Sequence, residues 1–316
     1  MKRTQEAFSV SIIMATYNRA YLISESLESI AAQTFKDWEC LIIDDGSTDD
    51  TEGIVLQYCQ KDKRFQYLQR PSSHQKGLPG SRNYGIEMAQ GDFIIFFDDD
   101  DVAHPQNLEI CLELLEDSGT DFCHYRKQSF TDKFPQLLEI HKPVQKFSIG
   151  IEEIEKVISN KIALASCTVM WKKECFSNIR FNESLSYAEE WECYTRTLLE
   201  GYQGVGTDEV LYFNRKHSQS NTGEFWLGDP KRRASQVKAI KSIVENLKQK
   251  KLLSGSLVRY FVQMGIFLKE RSVIDHVLDT SNANFSTRLK YKTLYKFYPV
   301  IVVGHRTKKI LKKKLF

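Results

Sequence analysis

The protein has 316 residues, 41% of them hydrophobic and 12% aromatic, with only 7 Pro and 16 Gly; this excludes a disordered or fibrous chain and supplies a core for one large α/β domain with an accessory segment. The 44 Lys+Arg against 41 Asp+Glu give a net charge of +3, yet residues 288–316 hold ten Lys/Arg and no acid, leaving 34 bases against 41 acids, a net of −7, on the rest. The apolar runs Phe93–Phe97 and Val300–Val303 are too short to cross a bilayer, no apolar stretch follows Met1-Lys2-Arg3 as a signal peptide requires, and the 7 cysteines form no CxxC pair, so the expectation is a cytoplasmic protein without disulfide framework or zinc site.

In chain order, Phe8–Met14 is a β-branched apolar run that predicts a buried strand, and Leu22, Leu27 and Ile30 predict a helix over Ala20–Ala32. Strands follow at Trp38–Ile43, Phe65–Leu68 and Phe93–Phe97, separated by helices at Thr51–Cys59 and Ser81–Ala89. This alternation means βαβ units and a mainly parallel sheet, whose ligands bind at the carboxyl ends of the strands. Further on, the pattern predicts strands at Asp121–Phe130 and Ser166–Trp171, helices at Glu152–Ser159 and Glu189–Leu199, and two short strands near Gly204 and at Leu211–Asn214. Beyond Trp226 it changes to long charged helices, Lys231–Lys250 and Leu253–Lys269.

Two acidic clusters end strands at the ligand-bearing edge. Asp98-Asp99-Asp100-Asp101 places four carboxylates in a row, whose repulsion calls for a positive partner; a hard divalent cation, Mg²⁺ or Mn²⁺, suits oxygen ligands. Val102 and Ala103 exclude an EF-hand, and the alternative is a solvated loop capping the helix near His104-Pro105. Asp44-Asp45-Gly46-Ser47 offers a carboxylate to a base or ribose, although Asp, Gly and Ser are equally turn formers. Gly77-Leu-Pro-Gly-Ser-Arg82-Asn83 is a Gly-rich helix entry carrying a cation, suited to phosphate or to plain capping, and lacks the Lys-Ser/Thr of a P-loop. Glu189-Glu190-Trp191-Glu192 opens a helix with neighbouring carboxylates, which raise one another's pKa as a general base requires, or simply favour a helix N-terminus. Arg215, His217 and Ser220 offer cation, imidazole and hydroxyl, or an exposed polar loop.

Taken together and in this order, over about Val10–Ser220, these motifs resemble the family 2 glycosyltransferases of the GT-A fold. Ser11–Arg19 looks like the family's opening strand and nucleotide loop, Ile42–Asp49 its second motif, Gly80–Asn83 its third, Phe97–Asp101 its DxD region, Phe181–Trp191 the segment ending in the catalytic carboxylate, and Arg215–Ser220 its late basic motif. The resemblance implies an α/β fold: a Rossmann-like, mainly parallel GT-A sheet flanked by helices, in a catalytic domain over 1–225; the change of pattern after Trp226, which these motifs do not cover, sets apart a helical C-terminal region over 226–316. It implies that Thr16, Tyr17, Asn18, Arg19 and Asp45 serve the nucleotide, with Arg82 near the diphosphate and Asp98 and Asp99 beside the donor. Asp98, Asp100 and His217 would hold Mn²⁺ or Mg²⁺. Glu190 would be the general base, with Glu189 as its rival, and Arg215, His217 and Ser220 would hold the leaving diphosphate. Asp99 stands where a small neutral residue is usual, Ser81 where Ala is commoner, and Glu190 where Asp is commoner.

The expected activity is metal-dependent, inverting transfer from a nucleotide sugar, with UDP the expected carrier, to a glycan or lipid-linked acceptor in surface polysaccharide or glycolipid synthesis. The competing readings are a sugar-nucleotide pyrophosphorylase, which wants glycines where Thr16-Tyr17-Asn18-Arg19 stands, and a non-catalytic scaffold. Residues 288–316 mix aromatic and aliphatic residues with Lys and Arg, a composition suited to peripheral contact with an anionic membrane or to a packed helix with Lys in water; no nucleic-acid motif accompanies the charge.

Overall fold

The computed structural model of the protein describes residues 9–131, 137, 139, 140, 145–216 and 221–297. The expected βαβ alternation is present: β1 (Val10–Thr16), α1 (Ile23–Ala31), β2 (Trp38–Asp44), α2 (Thr51–Lys61), β3 (Phe65–Gln69), α3 (Leu78–Met88) and β4 (Phe93–Asp98). A two-residue β5 (Val102–Ala103) and α4 (Asn107–Ser118) lead to β6 (Phe122–Phe130), β7 (Lys146–Ile149), α5 (Ile154–Ile158), β8 (Val169–Lys172), α6 (Glu189–Leu199) and β9 (Gly204–Arg215). Among the described residues the strands form one nine-stranded sheet in the order β3-β2-β1-β4-β8-β6-β9-β5, with β7 beside β9.

β1, β2, β3 and β4 are mutually parallel. β8 runs antiparallel to both β4 and β6, and β9 runs parallel to β6, so β4, β6 and β9 all point their carboxyl ends to the same edge. All seven residues of β1 and of β2 are buried, the continuous burial of strands covered on both faces. On one face Met14, Leu27, Trp38, Val55 and Leu114 share a core with α1, α2 and α4. On the other, Phe96 meets Phe176 and Phe181 edge-on at 5.8 and 5.3 Å, and Trp171 lies 4.7 Å from Tyr194. Two glycines let α3 lie close to its neighbours: a Cβ on Gly85 would stand 2.4 Å from Ile13 Cγ2, and one on Gly80 would stand 2.0 Å from the Gln75 carbonyl oxygen.

Three expectations change. The two short strands after α6 are one twelve-residue strand, β9, because β6 pairs with it on both sides of the polar Asp208-Glu209, while β7 pairs with its first part and β5 with its last. The helix over Glu152–Ser159 starts as a 3₁₀ turn, leaving only five α-helical residues. The segment Ser166–Thr168 is a 3₁₀ turn, and β8 begins only at Val169.

After β9 come α7 (Asn221–Leu227), α8 (Pro230–Gln249), α9 (Gly255–Leu268) and α10 (Arg271–Thr280). The chain divides into two compact units, 1–235 and 236–316, within α8. In the second unit Ile243, Phe261, Val262, Ile274 and Val277 are buried, and Ser254 caps α9 by accepting from Leu257 N at 3.2 Å. No described helix is long and apolar enough to cross a membrane. All seven cysteines are free thiols, and all but Cys59 are buried. Residues 298–316 lie outside the described residues.

Candidate active site

The carboxyl ends of β1, β4, β6 and β9 surround a cleft. Asp98, Asp99, Asp100 and Asp101 line it together with Arg19, Arg82, Glu189, Glu190 and Arg215, so nine of the expected residues or their neighbours in the acidic run converge. Thr16, Asn18 and Asp45 lie just outside this lining, at the ends of β1 and β2. Thr16 is buried and accepts from Asp45 N at 2.9 Å. Asn18, in left-handed backbone at φ 53°, donates its N–H to Ser47 Oγ and accepts from Thr48 N at 2.8 Å, lacing the first motif to the second. Asp45 is ion-paired with Arg70, and Asp44 is spent on the turn, accepting from Ser47 Oγ at 2.6 Å and Tyr67 Oη at 2.8 Å. Tyr17 is 44% exposed with Lys76 Nζ over its ring at 4.3 Å. His217 and Ser220 lie outside the described residues.

Four cations, Arg19, Arg82, Lys127 and Arg215, face six carboxylates, Asp98–Asp101 with Glu189 and Glu190, across this lining: an excess of two negative charges when all are ionised. Arg19 reaches Asp99 at 3.3 Å and Asp100 at 3.9 Å. Arg215 fixes the acidic loop, its N–H donating to Asp101 Oδ1 at 2.8 Å and its Nε to the Asp100 carbonyl at 3.2 Å, while Tyr212 Oη accepts from Asp98 N at 2.9 Å. Burial, and then repulsion from Asp100, pushes Asp99 up to about 7. Burial likewise holds Asp98 and Asp101 above the usual carboxylate range, with their acidic neighbours adding to it.

Oxygens of Asp98 and Asp101 and the Cys167 sulfur lie within 4.8 Å of one another, a grouping able to hold a metal ion. Burial pushes the Cys167 thiol well above its ordinary value, so the donors suited to a hard cation are the carboxylate oxygens. The excess negative charge and these oxygens fit a divalent ion; Asp101 enters the set beside Asp98, whereas Asp100 points to Arg19.

Arg82 is 4% exposed and spends its guanidinium on three partners: Glu189 Oε1 at 2.9 Å, Ser166 Oγ at 3.0 Å and Asp98 at 3.3 Å. It ties the end of β4 to the start of α6. This separates the two candidate bases. Glu189 is buried against Arg82, with its pKa pushed up to about 8 by burial and by Glu190, whereas Glu190 is half-exposed in the cleft.

Sequence reasoning missed Lys127, whose Nζ lies 3.7 Å from Cys167 Sγ in the cleft, and Arg70. Both sit at or near the carboxyl end of a parallel strand, β6 and β3, a placement that shows once the directions of those strands are known. The Phe181–Glu183 part of the fifth motif acts as a latch. Asn83 of the third motif donates to the Phe181 carbonyl and Glu183 at 2.9 Å each, and Glu183 also holds His74 Nδ1 at 2.7 Å. Burial opposes the charged form of His74, but Glu183 and Glu87 outweigh it and raise the imidazole above 6.5; Glu183, despite its own burial, is held below 4.5 by His74 and Asn83. The His74 contribution is therefore complete below about 6.5 and is lost as pH rises through the folded value; that of Glu183 is present above about 4.5 and is lost on acidification. Melting temperature is expected to fall as pH rises above about 6.5, and His74→Gln to flatten that part of the curve; an unchanged slope in the variant would refute the latch.

This sheet, with a carboxylate cluster and Glu190 at one strand edge, has the architecture of a GT-A glycosyltransferase fold. The chain belongs to glycosyl transferase family 2, whose family model matches residues 11–173. An uncharacterized glycosyltransferase of Rickettsia felis is 34% identical over 181 residues, 57% of this chain and 29% of that one. The chain spans between 25% and 29% of the length of the first three such curated relatives. The UDP-Glc:alpha-D-GlcNAc-diphosphoundecaprenol beta-1,3-glucosyltransferase WfgD of Escherichia coli is 33% identical over 150 residues, 45% of this chain and 58% of that one. In fold, the chain is similar to the crystal structure of S. aureus TarS 1-349 in complex with UDP-GlcNAc, with a TM-score of 0.63, 18% identity and 92% of each chain covered.

Proposed function

We propose that the protein is a metal-dependent, inverting glycosyltransferase that moves a sugar from a UDP-sugar to a hydroxyl of a lipid-linked glycan acceptor. The observation that carries this is the opening of Glu190 and the Asp98–Asp101 cluster on one cleft, where six acidic side chains face four cations. The family relationship supports the reaction class, and the UDP-glucose donor and diphosphoundecaprenol acceptor in the name of WfgD support the substrate classes.

Asp98 and Asp101, with Asp100 and His217 nearby in sequence or motif, would hold Mn²⁺ or Mg²⁺; the ion, when bound, neutralises charge on the donor diphosphate. Thr16, Tyr17, Asn18, Arg19, Asp45 and Asp99 are assigned to the nucleotide side. Lys127 and Arg215, with Ser220, bring positive charge and hydroxyl to the leaving diphosphate, while Arg82 holds Asp98 and Glu189 in place. Glu190 accepts the proton of the acceptor hydroxyl as its oxygen attacks the anomeric carbon. The bond from that carbon to the diphosphate oxygen breaks on the opposite face, so configuration inverts and the proton passes from Glu190 to water. The ten Lys/Arg of residues 288–316 would keep the protein at an anionic membrane beside a lipid-linked acceptor.

The test is thermal unfolding with UDP, GDP, CDP, ADP and dTDP, each with and without Mn²⁺. A ligand at a hundredfold excess over Kd stabilises the folded state by about 2.7 kcal/mol. A shift for UDP that requires Mn²⁺ is the expected outcome. A metal-dependent shift for another nucleotide replaces the donor class, and no shift with any of them returns the protein to the scaffold reading.

A further inference from the structure

Glu189 and Glu190 begin α6 directly after Ser186-Tyr187-Ala188, a segment without regular structure whose last residue is left-handed at φ 62°. A non-glycine residue keeps that conformation only where its surroundings impose it. The two residues before Ala188 are held by one hydroxyl from α8. Ser235 Oγ accepts from both Ser186 N and Tyr187 N at 3.0 Å and donates to the Tyr187 carbonyl at 2.7 Å; Ser235 itself is 4% exposed. Arg232, one turn earlier, donates from Nη1 to the Ser186 carbonyl at 3.1 Å and is held by Glu224 through Nε at 2.8 Å. The Tyr187 ring stacks on Phe225 with centroids 4.5 Å apart and planes 8° from parallel. Backbone groups that α6 cannot satisfy are thus satisfied by residues beyond the 11–173 family match.

We infer that Ser235, backed by the Arg232–Glu224 pair, is a positioning residue for Glu190. The hydroxyl fixes the turn through Ala188, and that turn sets where the first residues of α6 enter the cleft. This rests on the reading of Glu190 as general base. Without the hydroxyl, two part-buried N–H groups lose their acceptor and the turn shifts to find others; a displacement of about 1 Å at a reacting group costs on the order of 10²-fold in rate.

The experiment compares the full chain with Ser235→Ala and Ser235→Thr by transfer kinetics, nucleotide-induced melting shift and amide hydrogen exchange at Ser186 and Tyr187. Ser235→Ala is expected to lower kcat on the order of 10²-fold, to leave donor KM and the nucleotide shift near those of the parent, and to speed exchange at both amides; Ser235→Thr, which keeps the hydroxyl, is expected to restore slow exchange and most of kcat. Parental kcat in Ser235→Ala overturns the inference, as does a parallel loss of kcat, donor affinity and melting temperature in both variants, the mark of a merely structural role. A parent that transfers sugar while Ser235→Ala matches it refutes the positioning alone; a parent inactive with every nucleotide sugar refutes the general-base reading and this inference with it.

Discussion

Replacing Glu190 by Gln is expected to lower transfer about 10³-fold while leaving nucleotide binding unchanged. Gln keeps the shape and half-exposed place of the side chain but cannot take a proton, and positioned general bases contribute typically 10²–10⁴-fold. The donor contacts proposed above fall on Arg19 and the Asp98–Asp101 run, which line the cleft with Glu190, so the UDP-induced melting shift is expected to persist. Glu189→Gln serves as the contrast. Its carboxylate is committed to Arg82 at 2.9 Å, so that variant is expected to lose melting temperature as well as rate. A Glu190→Gln protein that transfers sugar at the parental rate removes Glu190 from the mechanism.

The second large effect is expected at Arg82. Removing one partner of a buried charge pair typically costs about 3–5 kcal/mol, because the other charge is left uncompensated. Arg82→Ala leaves two acidic side chains, Glu189 and Asp98, and the Ser166 hydroxyl without their shared donor. At about 2–4 °C per kcal/mol for a domain of this size, the melting temperature is expected to fall by roughly 10 °C. Arg82→Lys should recover only part of that loss, because a single ammonium cannot reach three partners that a planar fork serves together. Differential scanning calorimetry at pH 7 decides it: an Arg82→Ala protein melting with the parent would mean that the pair contributes nothing to the fold.

Most of the first half of the sheet was legible because β1, β2 and β4 are largely buried and read as mainly apolar runs, each stopped by Asp or a turn. The start of α6 was predicted at Glu189, where the structure has it. The second half was harder for a physical reason. β9 carries Thr207-Asp208-Glu209 in its middle and owes its continuity to three partner strands, information no local window holds. The site followed the same division. Acidic runs at strand ends announced themselves, whereas Lys127 sits in a polar stretch, Arg126-Lys127-Gln128, that reads as an ordinary exposed strand end until β6 is known to run parallel to β4. The choice between Glu189 and Glu190 depends on Arg82, 107 positions away in sequence, and the hold of Ser235 on Ser186 and Tyr187 is equally non-local.

The anchoring of Asp101 by the backbone N–H of Arg215 spans 114 positions, and that separation acts during synthesis. A ribosome adding roughly 5–20 residues per second exposes the acidic run on the order of ten seconds before the strand that steadies it is made. By the end of that interval Arg19, Arg82 and Lys127 are the cleft cations already translated, and of the strands only β9 is still to be made. The emerging chain therefore carries an open sheet edge and an unbalanced acidic loop together, and the loop's charge helps keep that edge from pairing with other chains.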